Sequence, residues 1–230
     1  MDSQGAQIER RKLLAFTLPL AVFLLLLALA GLLPKTSTSF WLSSPQFWIF
    51  PAQTFICGAL LIWFWRDYGL RAPRRIGVAA AIGLLVFALW VAPQAVFGFG
   101  PRLDGFNPET FANEPAAYWT TVLLRFLRLV VVVPLLEEIF WRGFLLRFFI
   151  NEKFDAVPVG TFSWLSFAIV TAGFGLSHSP SDYIAAFLTG VLYNCVAYWT
   201  KNLASCVVAH ATSNLLLGLW IMQTRQWGFW

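Results

Sequence analysis

Leu129-Val130-Val131-Val132-Val133-Pro134-Leu135-Leu136-Glu137-Glu138-Ile139-Phe140-Trp141-Arg142 is an apolar run that closes on two adjacent carboxylates and an arginine. An ionisable group at membrane depth costs at least ~2.5–3.5 kcal/mol on insertion scales, so such groups mark function more often than anchoring. The only two histidines, His178 and His210, also fall at or within apolar segments. Scarce ionisable groups in hydrophobic surroundings make intramembrane hydrolysis the first chemistry to consider.

The rest of the chain fits a membrane setting. Of its 230 residues 59% are hydrophobic and 12% charged, against about 25% charged in a soluble domain. Twelve Trp and 23 Phe suit a helical membrane protein with aromatic belts. Seven segments are long enough to cross a hydrocarbon core, which takes about 17–25 residues. They lie near 13–33, 46–65, 76–98, 117–141, 160–177, 182–200 and 202–222. The expected fold is an all-α polytopic membrane protein, a bundle of about seven transmembrane helices in a single domain over 1–230. Spans 13–98 carry no motif, and the candidate catalytic core is 117–222.

Charge sets the orientation. Arg10-Arg11-Lys12, the group Arg66, Arg71, Arg74 and Arg75, and the basic residues of 142–153 flank apolar spans, whereas 99–116 carries Asp104, Glu109 and Glu114. With the N-terminus inside, every basic cluster falls inside and the acidic loop outside. The net charge of +5 is therefore read as anchoring rather than nucleic-acid binding, for which no aromatic-interleaved basic patch exists. The first span also resembles a signal sequence, with Ala28-Leu29-Ala30 as a cleavage site, but its apolar stretch runs on through Leu32-Leu33 and favours an uncleaved span. Segment 142–157 is expected to lie along the inner interface as an amphipathic helix. Cys57, Cys195 and Cys206 lack CxxC spacing and read as small buried hydrophobes.

Three patterns collect the intramembrane polar residues. Glu138 and Arg142 are one turn apart and can pair on one helix face, while Glu137 is rotated about 100° toward another neighbour. Pro134 removes a backbone N–H just before them and is expected to kink the helix. Phe174 and His178, then His210 and Asn214, repeat the one-turn spacing on later spans. Alone, the first and third patterns also fit interhelical clasping, worth about 0.6–2 kcal/mol in membranes, and His178 at a span end also fits an interfacial residue. Arg125 and Arg128 share a face further up the fourth span. They are expected to snorkel to the outer interface, with an acidic substrate terminus as the other reading.

Glu-Glu-x-x-x-Arg, Phe-x-x-x-His and His-x-x-x-Asn, in this order on successive hydrophobic segments, resemble the CAAX-protease and bacteriocin-processing family of intramembrane glutamic endopeptidases. The resemblance covers about 100 residues, and among bacterial branches a free-standing protein of this size resembles the one linked with exosortase and PEP-CTERM sorting. It implies Glu137 as the base that activates water, with His178 assisting. It further implies His210 and Asn214 as oxyanion donors, and Glu138, Arg142 and Phe174 as supporting residues. No cofactor is implied. Zinc is the rival, but the histidines are far apart in sequence and no His-Glu-x-x-His helix is present. An inactive scaffold or immunity protein is the non-enzymatic alternative. The expected partners are the lipid bilayer and a membrane-associated protein or peptide substrate, with no nucleic acid. Compact loops point to a bacterial inner membrane.

Overall fold

A computed structural model describes residues 3–34 and 36–230, with the backbone alone for 3–6 and 8. Seven long helices make the bundle: α1 (Ser3–Leu32), α2 (Gln46–Trp63), α3 (Ile76–Ala95), α4 (Pro115–Phe148), α5 (Trp164–Leu176), α6 (Tyr183–Thr200) and α7 (Leu203–Thr224). Each of the seven expected segments falls on one of them, and the protein is an all-α polytopic membrane protein. α1 from Glu9, α2, α3, α4 and α7 are long and apolar enough to span a membrane. α5 is apolar but shorter, at 13 residues, and α6 carries the polar Thr189 and Asn194 along its length.

Local chemistry sets the helix ends. Pro115 opens α4 in the first turn, where a missing N–H costs nothing. Asn202 caps α7 by accepting the Ser205 N–H at 3.0 Å. Large apolar side chains such as Leu25, Ile62, Leu84, Leu123 and Ile184 remain exposed around the bundle, as required of a surface solvated by lipid. Inside, Leu136 and Ile139 of α4 pack with Phe16 and Leu20 of α1 and Leu61 of α2. A second core joins Val170 and Phe174 of α5, Tyr193 and Val196 of α6, and Cys206 and Ala209 of α7. α3 and α7 approach so closely at Gly83 that a Cβ there would lie 2.4 Å from the Ala209 carbonyl oxygen, the small-residue packing common between membrane helices.

Ion pairs sort the connections into two ends. Arg11 meets Asp67 at 3.0 Å and Lys12 meets Asp155 at 2.6 Å, so the start of α1, the loop after α2 and the turn after α4 lie together. At the other end Arg102 pairs with Asp182 at 2.6 Å and Arg225 with Glu109 at 3.3 Å. The grouping matches the basic and acidic loops expected from charge. Lys12 also holds the Asp155 carboxyl below its usual range by hydrogen bonding to it.

Two features of α4 differ from expectation. Arg142–Phe148 continues the helix with Arg142, Gly143, Phe144 and Leu146 buried, so it does not lie along an interface. Instead of a simple proline kink, α4 contains two π-helical stretches, Arg128–Val132 and Ile139–Leu145, on either side of the glutamates. Wide turns of this kind recur at functional sites.

Candidate active site

The first π stretch follows from Pro134. Val133 N–H bonds the Arg128 carbonyl, five residues back. The Leu129 carbonyl would next need the N–H of residue 134, and proline has none. A buried carbonyl without a donor is costly. Asn214 of α7 fills the gap, its Nδ2 donating to Leu129 O at 2.8 Å. The proline in α4 and the asparagine in α7 thus form one backbone-repair unit that locks two helices together.

Beyond the repair, the adjacent glutamates separate. Glu138 is wholly buried. Its Oε1 accepts from Arg142 Nη1 at 3.1 Å and from His210 Nδ1 at 2.9 Å. Arg142, equally buried, also donates from Nε to Asn194 Oδ1 at 3.0 Å and from Nη2 to the Gly190 carbonyl at 3.2 Å. Asn194 in turn donates to Thr171. The guanidinium lies 4.8 Å from the Phe174 ring centre and 5.4 Å from that of Tyr193, so groups of α4, α5 and α6 grip one cation. Asn194, Gly190 and Thr171 escaped the sequence reading. A lone Asn inside an apolar segment was the available signal.

Glu137 faces elsewhere. It is partly exposed and lines a cavity of about 410 Å³ together with His178, His210, Asn214, Tyr193 and Ser213. His178 follows the end of α5, and its Nδ1 sits 2.8 Å from the Phe174 carbonyl. A carbonyl only accepts, so Nδ1 carries the proton and Nε2 keeps its lone pair. Phe174 (4.9 Å) and Trp90 (5.7 Å) flank the ring. Facing a carboxylate, His210 likewise carries its proton on Nδ1 and has Nε2 left over. Its ring packs on Tyr193 at 5.0 Å, whose hydroxyl shares a 2.5 Å hydrogen bond with Ser213.

The fold thus brings Glu137, His178, His210 and Asn214 to one cavity, with the buried Phe174 also in its wall, and buries Glu138 and Arg142 behind it. One nitrogen each of His210 and Asn214 is already engaged, on Glu138 and Leu129. Arg125 and Arg128 are not at a lipid interface: they are 4% and 5% exposed and line the same cavity. Their faces are set by the π stretch that begins at Arg128 in α4. Among the described residues, no three His, Cys, Asp or Glu side chains gather as a metal-binding group.

Residues 118–216 match the family model described as Type II CAAX prenyl endopeptidase Rce1-like. That segment, less than half of the chain, is similar to the Rce1-like family. The match runs from early α4 into α7, so it contains all three motifs and Glu137, His178, His210 and Asn214 of the cavity. The likeness supports an intramembrane protease in general terms. No curated protein and no solved structure matches the chain.

Proposed function

We propose that the protein is an intramembrane endopeptidase that hydrolyses a peptide bond of a membrane-associated protein or peptide with a water activated by Glu137. The division between the two glutamates carries this reading. Glu138 is occupied by Arg142 and His210, whereas Glu137 opens on a cavity beside a histidine whose Nε2 is a free acceptor.

In this mechanism Glu137 takes a proton from a water held between it and His178 Nε2, and the water oxygen attacks the peptide carbonyl carbon. The carbonyl oxygen becomes an oxyanion and accepts from the second amide N–H of Asn214, whose orientation the Leu129 bond fixes. His210, held on Glu138 through Nδ1, presents Nε2 to the same oxyanion and donates to it when that nitrogen carries a proton. When the intermediate collapses, the C–N bond breaks and the proton on Glu137 passes to the leaving amine. Phe174 and Arg142 hold the two histidine-bearing helices in register. The chemistry proposed uses no metal ion.

The cavity also has a side. Phe23 and Leu27 late in α1, Trp90 late in α3, Ser179 and Asp182 after α5 and Leu217 late in α7 all line it. These positions lie toward the end of the bundle that holds the 99–116 loop. With the basic end in the cytoplasm, substrates enter from the opposite face, and the short loops fit a bacterial inner membrane.

Comparative mass spectrometry of membrane-protein termini, wild type against Glu137→Gln, tests the reading. Termini produced by cleavage should vanish in the variant while the protein accumulates normally, and persistent cleavage would reject Glu137 as the base. Addition of 1,10-phenanthroline should leave cleavage intact, whereas inhibition reversed by zinc would replace the metal-free mechanism.

A further inference from the structure

Charge accounting in the cavity leaves two cations with one carboxylate between them. Asp182 is paired with Arg102, and Glu138 with Arg142 and His210. Glu137 is the remaining side-chain carboxylate of the lining, against Arg125 and Arg128. Neither arginine forms an ion pair with a described carboxylate. Arg128 donates from Nε to Gln53 Oε1 at 3.0 Å, and Gln53 is itself fixed on the Phe23 carbonyl at 2.8 Å. Arg125 is less provided for: its buried Nε and Nη1 have no hydrogen-bond partner among the described residues. Aromatic faces surround it instead, Phe50 at 4.7 Å, Phe106 at 4.8 Å and Trp230 at 5.9 Å.

A guanidinium with idle donors, buried in an aromatic cage beside a second cation, is half of a site. A planar oxyanion matches the fork of Arg N–H groups in charge and in geometry. We propose that Arg125 and Arg128 form a carboxylate-binding subsite that holds the free C-terminal carboxylate of the substrate while its scissile bond lies at Glu137. The assignment rests on reading the cavity as a peptidase site. It also gives a length. Arg128 and Arg125 precede Glu137 by nine and twelve positions in α4, roughly 14 and 18 Å of helix rise. An extended peptide covers about 3.3–3.6 Å per residue. The released fragment should therefore be about four or five residues long, cut from a free C-terminus.

The test uses the full-length protein in detergent and a dansylated pentapeptide, Leu-Leu-Ala-Val-Leu, as the free acid and as the C-terminal amide. Fluorescence anisotropy should show the acid binding at least about 10-fold tighter, the range expected for hydrogen bonds to a charged group. Arg125→Met and Arg128→Met should each bring the acid-to-amide ratio toward one with little change in amide affinity, and Arg125→Lys should keep part of the preference if Arg125→Met fails to fold. Equal binding of acid and amide by wild type, or a preference untouched by all three substitutions, overturns the subsite. Erasure of the acid preference by phosphatidylglycerol at a few mole per cent of the micelle assigns the arginines to lipid phosphate and likewise overturns it. Cleavage is read separately on longer peptides. Cleavage without acid preference rejects the subsite alone, whereas acid preference without any cleavage rejects the peptidase reading alone.

Discussion

Replacing Glu138 by leucine should damage the fold itself, unlike any change at Glu137. The substitution leaves the Arg142 guanidinium fully buried with only Asn194, the Gly190 carbonyl and two aromatic faces around it. Breaking a buried ion pair by removing one partner costs about 3–5 kcal/mol, because the charge left behind has lost its solvent and its counter-ion. His210 loses its acceptor as well, adding about 1–3 kcal/mol for a stranded donor unless the ring turns into the cavity. Replacing both members by apolar residues removes the stranded charge, so Glu138→Leu with Arg142→Leu should recover at least about 2 kcal/mol of that loss. Glu137→Gln, at a partly exposed cavity wall, should stay within about 0.5 kcal/mol of wild type. Equilibrium unfolding in mixed micelles by sodium dodecyl sulfate, followed by tryptophan fluorescence, measures all four proteins. If Glu138→Leu unfolds within about 0.5 kcal/mol of wild type, or if the double variant is no more stable than Glu138→Leu, Glu138 is not the anchor of this cluster.

Asn214→Ala should strand the Leu129 carbonyl at a cost of about 1–3 kcal/mol and lower turnover about 10²–10³-fold; Pro134→Ala, which restores an N–H, should recover stability but not turnover. Gly83→Leu should prevent α3 and α7 from docking and reduce folded yield sharply in a thermal aggregation assay, since even a Cβ would overlap the Ala209 carbonyl. The Lys12–Asp155 pair should matter only above acid pH. Asp155 has its carboxyl held below the usual range in the folded state, so its stabilisation is complete above the unfolded value near 4 and fades as pH falls below it. Because both side chains are more than a third exposed, the effect should be below about 1 kcal/mol, and Asp155→Asn should flatten the difference between pH 6 and pH 3 in an unfolding titration.

Periodicity and charge made the helices and the grouping of their ends legible, because each is a property of residues near one another in sequence. The Glu138–Arg142 pair was legible for the same reason, being one turn apart. What reading along the chain missed lies across helices. Asn194 and Gly190 complete the Arg142 cluster from α6, and Gln53 of α2 meets Arg128 75 positions away. The arginines were misplaced by a local rule: long basic side chains near a helix end snorkel, but these two have aromatic and amide partners close enough to keep them inward.

Rotation along α4 explains why the arginines and Glu137 share a wall at all. In an uninterrupted α-helix each residue turns about 100°, so Arg128 and Glu137, nine apart, would point about 180° from each other, and Arg125 would lie about 120° from Glu137. One π turn takes up an extra residue and so subtracts about 100° from every relation across it. The Arg128–Val132 stretch lies between the arginines and the glutamates. With that correction Arg125 falls about 20° from Glu137 and Arg128 about 80°, which is how all three come to line one cavity. Glu138, a further 100° on, turns away into the Arg142 cluster. The wide turn is maintained by Pro134, which cannot donate to Leu129, and by Asn214, which does so in its place. A proline that looked like a kink thus aligns the cations with the proposed base, and an asparagine read either as an oxyanion donor or as an interhelical clasp keeps that alignment in the folded state.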